Sequence, residues 1–296
     1  MRFKIIAVIS IFIFISCSTQ KKNNYKGDEI AVSILPQKYF VDRITDSSIS
    51  VLVMIPGSES PATYEPTPSQ VEALGFVKAY LKIGYIGFEL SWMDKFSHAN
   101  PEMKIYDFSK GINIIEGKCS HEEDEHDHHH GVDPHIWMSP RNCLIMSSNI
   151  LNALTELYPE RKQEFTENFA ALKNDILDID NKIESLLKPY DQRSFLIFHP
   201  ALTYYAQNYQ LIQTPIELEG KEPSLKHMAE IMQFIEAKGI NDIFIQQQFD
   251  RKNAETLISE TGGKVIEINP LDYNWPQQIM SVSKSMQEVL KQQNAR

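Results

Sequence analysis

Two hydrophobic periods alternate along the chain. Short apolar runs occur at 29–35, 50–55, 79–84 and 103–107, and again at 194–198, 211–216, 242–246 and 264–268. Their length and continuity predict buried β-strands. Between them, apolar residues recur every three or four positions near 37–45, 68–75, 87–96, 201–208, 224–238 and 252–260, which predicts helices. Strand and helix in this rhythm imply parallel sheets with crossover helices, and two such series imply two α/β lobes of similar plan.

One long stretch breaks the rhythm. Phe165, Phe169, Leu172, Ile176, Ile179, Ile183 and Leu186 fall on a single helical stripe. They predict a continuous helix over 160–188, with Pro159 at its first position and Pro189 at its stop. At the usual rise such a rod is roughly 40 Å long and can bury its stripe against both lobes. A dimerising coiled coil fits the same spacing. The rigid joint implies only small motions between lobes. Segment 274–291 reads as a closing amphipathic helix. The expected layout is therefore a lobe over 28–158, a linking helix over 159–189 and a second lobe over 190–296.

The first residues carry an address. Met1, Arg2 and Lys4 precede an apolar run over 5–15 and then Ser16 and Cys17, the pattern of a secretion signal, and too short a run for a bilayer anchor. Residues 14–17 resemble a bacterial lipoprotein box, which implies cleavage before Cys17, lipidation of its thiol and a membrane anchor. The polar segment 18–27 then reads as a tether.

Composition narrows the function. A formal net charge of -10, with no stripe of Lys and Arg interleaved with aromatics, argues against nucleic-acid binding. Glycine is sparse, at 12 of 296 residues, and neither a GxGxxG nor a Walker loop is present, so nucleotide-binding loops are excluded as well. Six of the nine histidines lie between His121 and His135, among Glu122, Glu123, Asp124, Glu125, Asp127 and Asp133. Imidazole nitrogen and carboxylate oxygen at this density suit a segment that collects zinc or a related divalent ion. The loop over 119–132 divides into an acidic collector with His121, His126, His128, His129 and His130, and a structured turn bearing His135.

In parallel α/β sheets, ligands bind beyond the carboxyl ends of strands. That rule selects His199, directly after the run ending at Phe198, Asn269 with Asp272 three residues on, and Glu59, Tyr64 and Glu65 after the second run. His135 lies near the end of the first lobe. A lone histidine after a strand is often satisfied by the backbone, but two from opposite lobes point to a shared tetrahedral metal. Cys119 and Cys143 could form a disulfide, Cys119 could be a thiolate ligand, or the two thiols could be unrelated.

The segments Pro56-Gly57, Pro61 to Pro68, Asp133-Pro134-His135-Ile136-Trp137, Phe198-His199-Pro200 with Tyr204-Tyr205-Ala206, Glu222-Pro223-Ser224, Thr261-Gly262-Gly263 and Asn269-Pro270-Leu271 resemble, in order, the motifs of zinc/manganese substrate-binding proteins of ABC importers. The resemblance implies two four-stranded lobes joined by one long helix, a metal cleft between them and delivery to a membrane permease. The histidine-rich loop points to Zn(II) as the transported ligand ahead of Mn(II). Such a protein is a monomeric, extracytoplasmic binder and not an enzyme. Two positions depart from the pattern: Ala62 stands where the family has a ligand histidine, and Asn269 where it has aspartate. Glu65 and Asp272 are the carboxylates within reach by sequence, and water, His129 or His130 could complete the shell. Gln246 reads as lining of the cleft. The rival readings are a surface metal buffer or adhesin that uses mainly the loop, and a secreted zinc hydrolase, although His121 to Glu125 lacks the second histidine of an HExxH helix.

Overall fold

The computed structural model describes residues 30–116, 131–217, 225–249 and 262–295, together with 255 and 258. Two four-stranded parallel sheets carry the architecture. The first holds β1 (Ile30–Val32), β2 (Val51–Val53), β3 (Ala79–Lys82) and β4 (Lys104–Asp107) in the order β2-β1-β3-β4. The second holds β5 (Ser194–Ile197), β6 (Ile212–Pro215), β7 (Ile243–Gln246) and β8 (Val265–Ile268) in the order β6-β5-β7-β8. All eight fall inside the apolar runs. Ile30, Ala31 and Val32 of β1 and Phe195, Leu196 and Ile197 of β5 are fully buried, because central parallel strands are covered on both faces. Pro215 is tolerated where it stands because β6 is an edge strand.

Helices α1 (Leu35–Thr45), α2 (Pro68–Leu74) and α3 (Gly87–Ala99) connect the first sheet, and α6 (Thr203–Asn208) and α7 (Leu225–Lys238) belong to the second. Gln37 fixes the start of α1: its Oε1 accepts from the N–H groups of Ser33 and Ile34 at 2.9 and 3.0 Å, and its Nε2 reaches the Leu81 carbonyl at 2.7 Å. A reciprocal cap opens α2, with Gln70 N–H on Thr67 Oγ1 and Thr67 N–H on Gln70 Oε1. The same Gln70 side chain holds Tyr64 Oη at 2.8 Å and the Met54 carbonyl at 2.6 Å, so the loop after β2 is tied to the helix that follows it.

The lobes are joined through α4 (Pro140–Leu157) and the long α5 (Lys162–Leu187). The linking helix starts later than its sequence suggests, because Pro159 opens a 3-10 turn over Pro159–Arg161. Its buried stripe is Phe165, Leu172, Ile176, Ile179, Ile183 and Leu187, a step of four after Ile183 putting Leu187 in the place expected of Leu186. The stripe packs against α1, α4 and α8 (Trp275–Asn294), so it is covered within one chain, and the coiled-coil-like spacing needs no second copy. Polar contacts from both lobes also reach α5: Arg43 on α1 meets Asp175 at 2.7 Å, and Tyr209 after α6 donates to Asp180 at 2.6 Å.

Residues 255 and 258 are helical, and the rest of the predicted helix over 252–260 lies outside the described residues. So do Cys17, the signal and tether, Cys119 and the five histidines of the collector. Glu116 and Val132, which flank that segment, pair as an antiparallel bridge. Among the described residues no helix is long and apolar enough to cross a membrane.

Candidate metal centre

In each sheet the strand order reverses beside the first strand of the lobe, and the diverging loops leave a crevice at the carboxyl ends of the strands. His199 lies there, just beyond β5. Its backbone is clamped by the Gln246 side chain, whose Nε2 donates to the His199 carbonyl and whose Oε1 accepts the His199 N–H at 3.4 Å. Gln246 is 2% exposed, so it fixes the histidine from behind and does not line the cleft as expected. The His199 ring is held on two further sides. Nδ1 lies 3.1 Å from Oε2 of the buried Glu217, and the ring stacks on Phe249 at 5.1 Å and 25°.

His135 is held in a parallel way. Asp133 Oδ1 accepts both the His135 backbone N–H at 2.9 Å and ring Nδ1 at 2.8 Å, so one carboxylate oxygen sets the turn and the imidazole together. Asp133 is itself anchored, its N–H on the Ile115 carbonyl at 3.0 Å and its carbonyl accepting Tyr204 Oη at 2.8 Å. Burial alone would push the Asp133 carboxyl up. The charge of His135 and hydrogen bonds from His135 and Thr203 outweigh that and hold it below the usual carboxylate range.

The two rings meet with centroids 5.2 Å apart and planes at 74°. An ionised carboxylate only accepts, so in the neutral form of each ring the proton sits on Nδ1 and Nε2 keeps the lone pair. A carboxylate behind an imidazole fixes the tautomer and raises the basicity of the free nitrogen, the arrangement that metal-binding histidines use.

The other expected ligands are engaged differently. Asn269 Oδ1 accepts from Leu271 N–H at 3.1 Å and from Gln248 Nε2 at 3.3 Å. Gln248 Nε2 also reaches the Gly57 carbonyl of the first lobe at 2.9 Å, forming a clasp across the cleft. Asp272 accepts the Asn274 N–H at 2.7 Å, a turn that leads into α8. Glu65 is exposed on the loop before α2. Ala62 is also exposed, and its loop is pinned by Phe88 N–H on the Pro61 carbonyl at 2.9 Å. Among the described residues, no group of three or more His, Cys, Asp or Glu side chains is gathered closely enough to hold an ion. The structure thus brings His135 and His199 together and does not add Glu65 or Asp272 to them. Cys143 is a buried free thiol, donating to the Trp137 carbonyl at 3.2 Å, and burial raises its pKa well above the ordinary value.

Asp133 and Glu217 are the residues that sequence reasoning missed. The two-residue step from Asp133 to His135 is a local signal for the first. For Glu217 the signal lies in sheet register: Ile197 pairs with Pro215, and two residues further along both strands lie His199 and Glu217.

Two α/β lobes with paired, carboxylate-backed imidazoles in the crevice between them define the architecture of a solute-binding protein. The family model described as Zinc-uptake complex component A periplasmic matches residues 30–292, and the chain belongs to this family. It is 25% identical over 277 residues to the zinc-binding lipoprotein AdcA of Streptococcus pneumoniae, covering 90% of this chain and 54% of AdcA. The chain therefore spans about half the length of such streptococcal relatives. It is 26% identical over 269 residues to the high-affinity zinc uptake system protein ZnuA of Bacillus subtilis, covering 86% of this chain and 82% of that protein. A crystal structure of ZnuA superposes with a TM-score of 0.83 at 34% identity, covering 88% of this chain and 98% of that one. A zinc-bound ZnuA lacking its residues 138–173 superposes with a TM-score of 0.82 at 33% identity, covering 88% of this chain and 97% of the other.

Proposed function

We propose that this protein captures Zn(II) outside the cytoplasm, held to a membrane by lipid on Cys17, and delivers the ion to the permease of an ABC importer. It acts as a binder and not as an enzyme. The observation that carries this reading is the pair of imidazoles at 5.2 Å, each with a carboxylate on Nδ1, that of Glu217 buried and that of Asp133 nearly so. Two imidazoles bound through nitrogen to one tetrahedral zinc, at about 2.0–2.1 Å each, have ring centroids roughly 5 Å apart, so the pair is spaced for a shared ion. Nitrogen donors favour zinc over manganese, which prefers oxygen. The remaining positions are filled by water or by an oxygen of Glu65, Asn269 or Asp272, the last two after leaving their turns. The names of the matched relatives, a zinc-binding lipoprotein and a zinc uptake protein, support the same cargo.

Calorimetric titration of metal-free protein tests the proposal. One tight Zn(II) per chain is expected, with Mn(II) bound more weakly; the absence of a tight zinc site would overturn it. Only two metal-ligating side chains converge among the described residues, and this favours a second reading, in which the histidine-rich segment does the binding and the protein is a surface buffer. Deleting 119–130 separates the two. The importer reading keeps one tight ion and loses weaker ones, whereas the buffer reading loses all binding.

A further inference from the structure

His135 follows the last strand of the first sheet in sequence, yet its turn is fastened to elements of the second lobe. Trp137, two residues on and 1% exposed, makes the central link. Its indole Nε1–H donates to the Pro270 carbonyl at 2.8 Å, in the loop after β8. Its own carbonyl accepts the indole N–H of Trp275 at 2.8 Å, at the start of α8. The Trp137 ring lies 5.2 Å from the His135 ring. Trp275 in turn packs on Tyr39 and Phe40 of α1, at centroid distances of 6.5 and 5.2 Å, which closes the seam against the first lobe.

We propose that Trp137 is a positioning residue for the cargo ion, locking His135 to the lobe that carries His199 so that the two imidazoles form one preset pair. This rests on the zinc-capture reading. A buried indole has a single N–H, and with it removed the Pro270 carbonyl loses its donor and the turn loses its direct tie to the loop after β8. The turn would then hang on Trp275 Nε1 and Tyr204 Oη, and His135 would be held less firmly. A pair held in advance binds with little reorganisation, and a loosened pair must be ordered by the ion itself.

Trp137→Phe keeps a ring against His135 and deletes the N–H. In full-length protein, zinc affinity measured by competition with a chelator, and release measured by stopped flow, are expected to weaken and quicken by tenfold or more. Ile240→Val, a core shortening in the second lobe away from the seam, serves as the control: it lowers the melting temperature and leaves both zinc readouts unchanged. If W137F does not fold, β-(3-benzothienyl)alanine at position 137, with the indole's shape and no N–H, replaces it. Wild-type affinity and release rate in the N–H-deleted protein would overturn the assignment. Absence of zinc binding by the wild type would instead overturn the capture reading beneath it.

Discussion

The two lobes share a strand order and differ in what they place where that order reverses. Beyond β1 and β3 lies Glu89, 2% exposed, its carboxyl oxygens accepting the N–H groups of Ile83 and Gly84 at 2.8 and 2.6 Å and contacting Ser33 Oγ, which also meets Tyr80 Oη at 2.8 Å. Beyond β5 and β7 lies His199, backed by the equally buried Glu217 but with one ring nitrogen directed away from it. Both lobes bury a carboxyl beyond the carboxyl ends of their strands, Glu89 against the ends of β1 and β3 and Glu217 after β6, beside β5. In the first it is sealed by backbone amides and hydroxyls. In the second it orients an imidazole toward the cleft. One topology thus yields a polar plug that stiffens one lobe and a ligand support in the other, and the difference lies in the type of donor that meets the carboxyl.

The contrast can be broken from either side. The largest effect is expected from Glu89→Leu, which leaves two buried amides without an acceptor at about 1–3 kcal/mol each. Denaturant unfolding should show a loss of about 4 kcal/mol, with zinc affinity in the folded protein unchanged. The pH dependence of the plug comes next. Burial lifts the Glu89 carboxyl from 4.5 to about 7, against the opposing hydrogen bonds of Ser33, Gly84 and Ile83 and the charge of Lys82. Between those values the native state keeps a proton that the unfolded chain has lost, so this group's contribution is full below pH 4.5 and is lost as pH rises through 7. The fall is about 3 kcal/mol at ~1.4 kcal/mol per unit, and stability measured across this range should lose that slope in Glu89→Gln.

On the ligand side, Glu217→Ala removes the support behind His199 and should weaken zinc about 10–100-fold, while Glu217→Gln, which can still accept from Nδ1, should lose less. The smallest effect is expected at Asn269. Its two donors, Leu271 N–H and Gln248 Nε2, suit a carboxylate equally well, so Asn269→Asp should fold as the parent does. If Asn269 contributes an oxygen to the ion, the added charge should tighten zinc several-fold in the same titration.

Most of the fold could be read from the chain because parallel strands buried on both faces leave continuous apolar runs, and because the stripe on α5 repeats long enough to exclude a strand. Its start could not be placed, since Pro159 serves a 3-10 turn as well as an α-helix. His135 and His199 were legible as residues at strand and loop ends. Their supports were not. Glu217 reaches His199 through sheet register, and Gln246 and Gln248 each act through two side-chain contacts across strands or lobes, which leave no periodic trace. Asp272 shows the converse: its position after a strand suggests a ligand, while its carboxylate closes the turn into α8.

The measurement that bears most directly on the site is zinc titration of the His135→Ala, His199→Ala double variant alongside the wild type, with folding of both checked by thermal unfolding. If the preset imidazole pair holds the cargo, affinity should fall by a thousandfold or more while the fold persists. A folded double variant that binds zinc as tightly as the wild type would place the cargo elsewhere in the molecule.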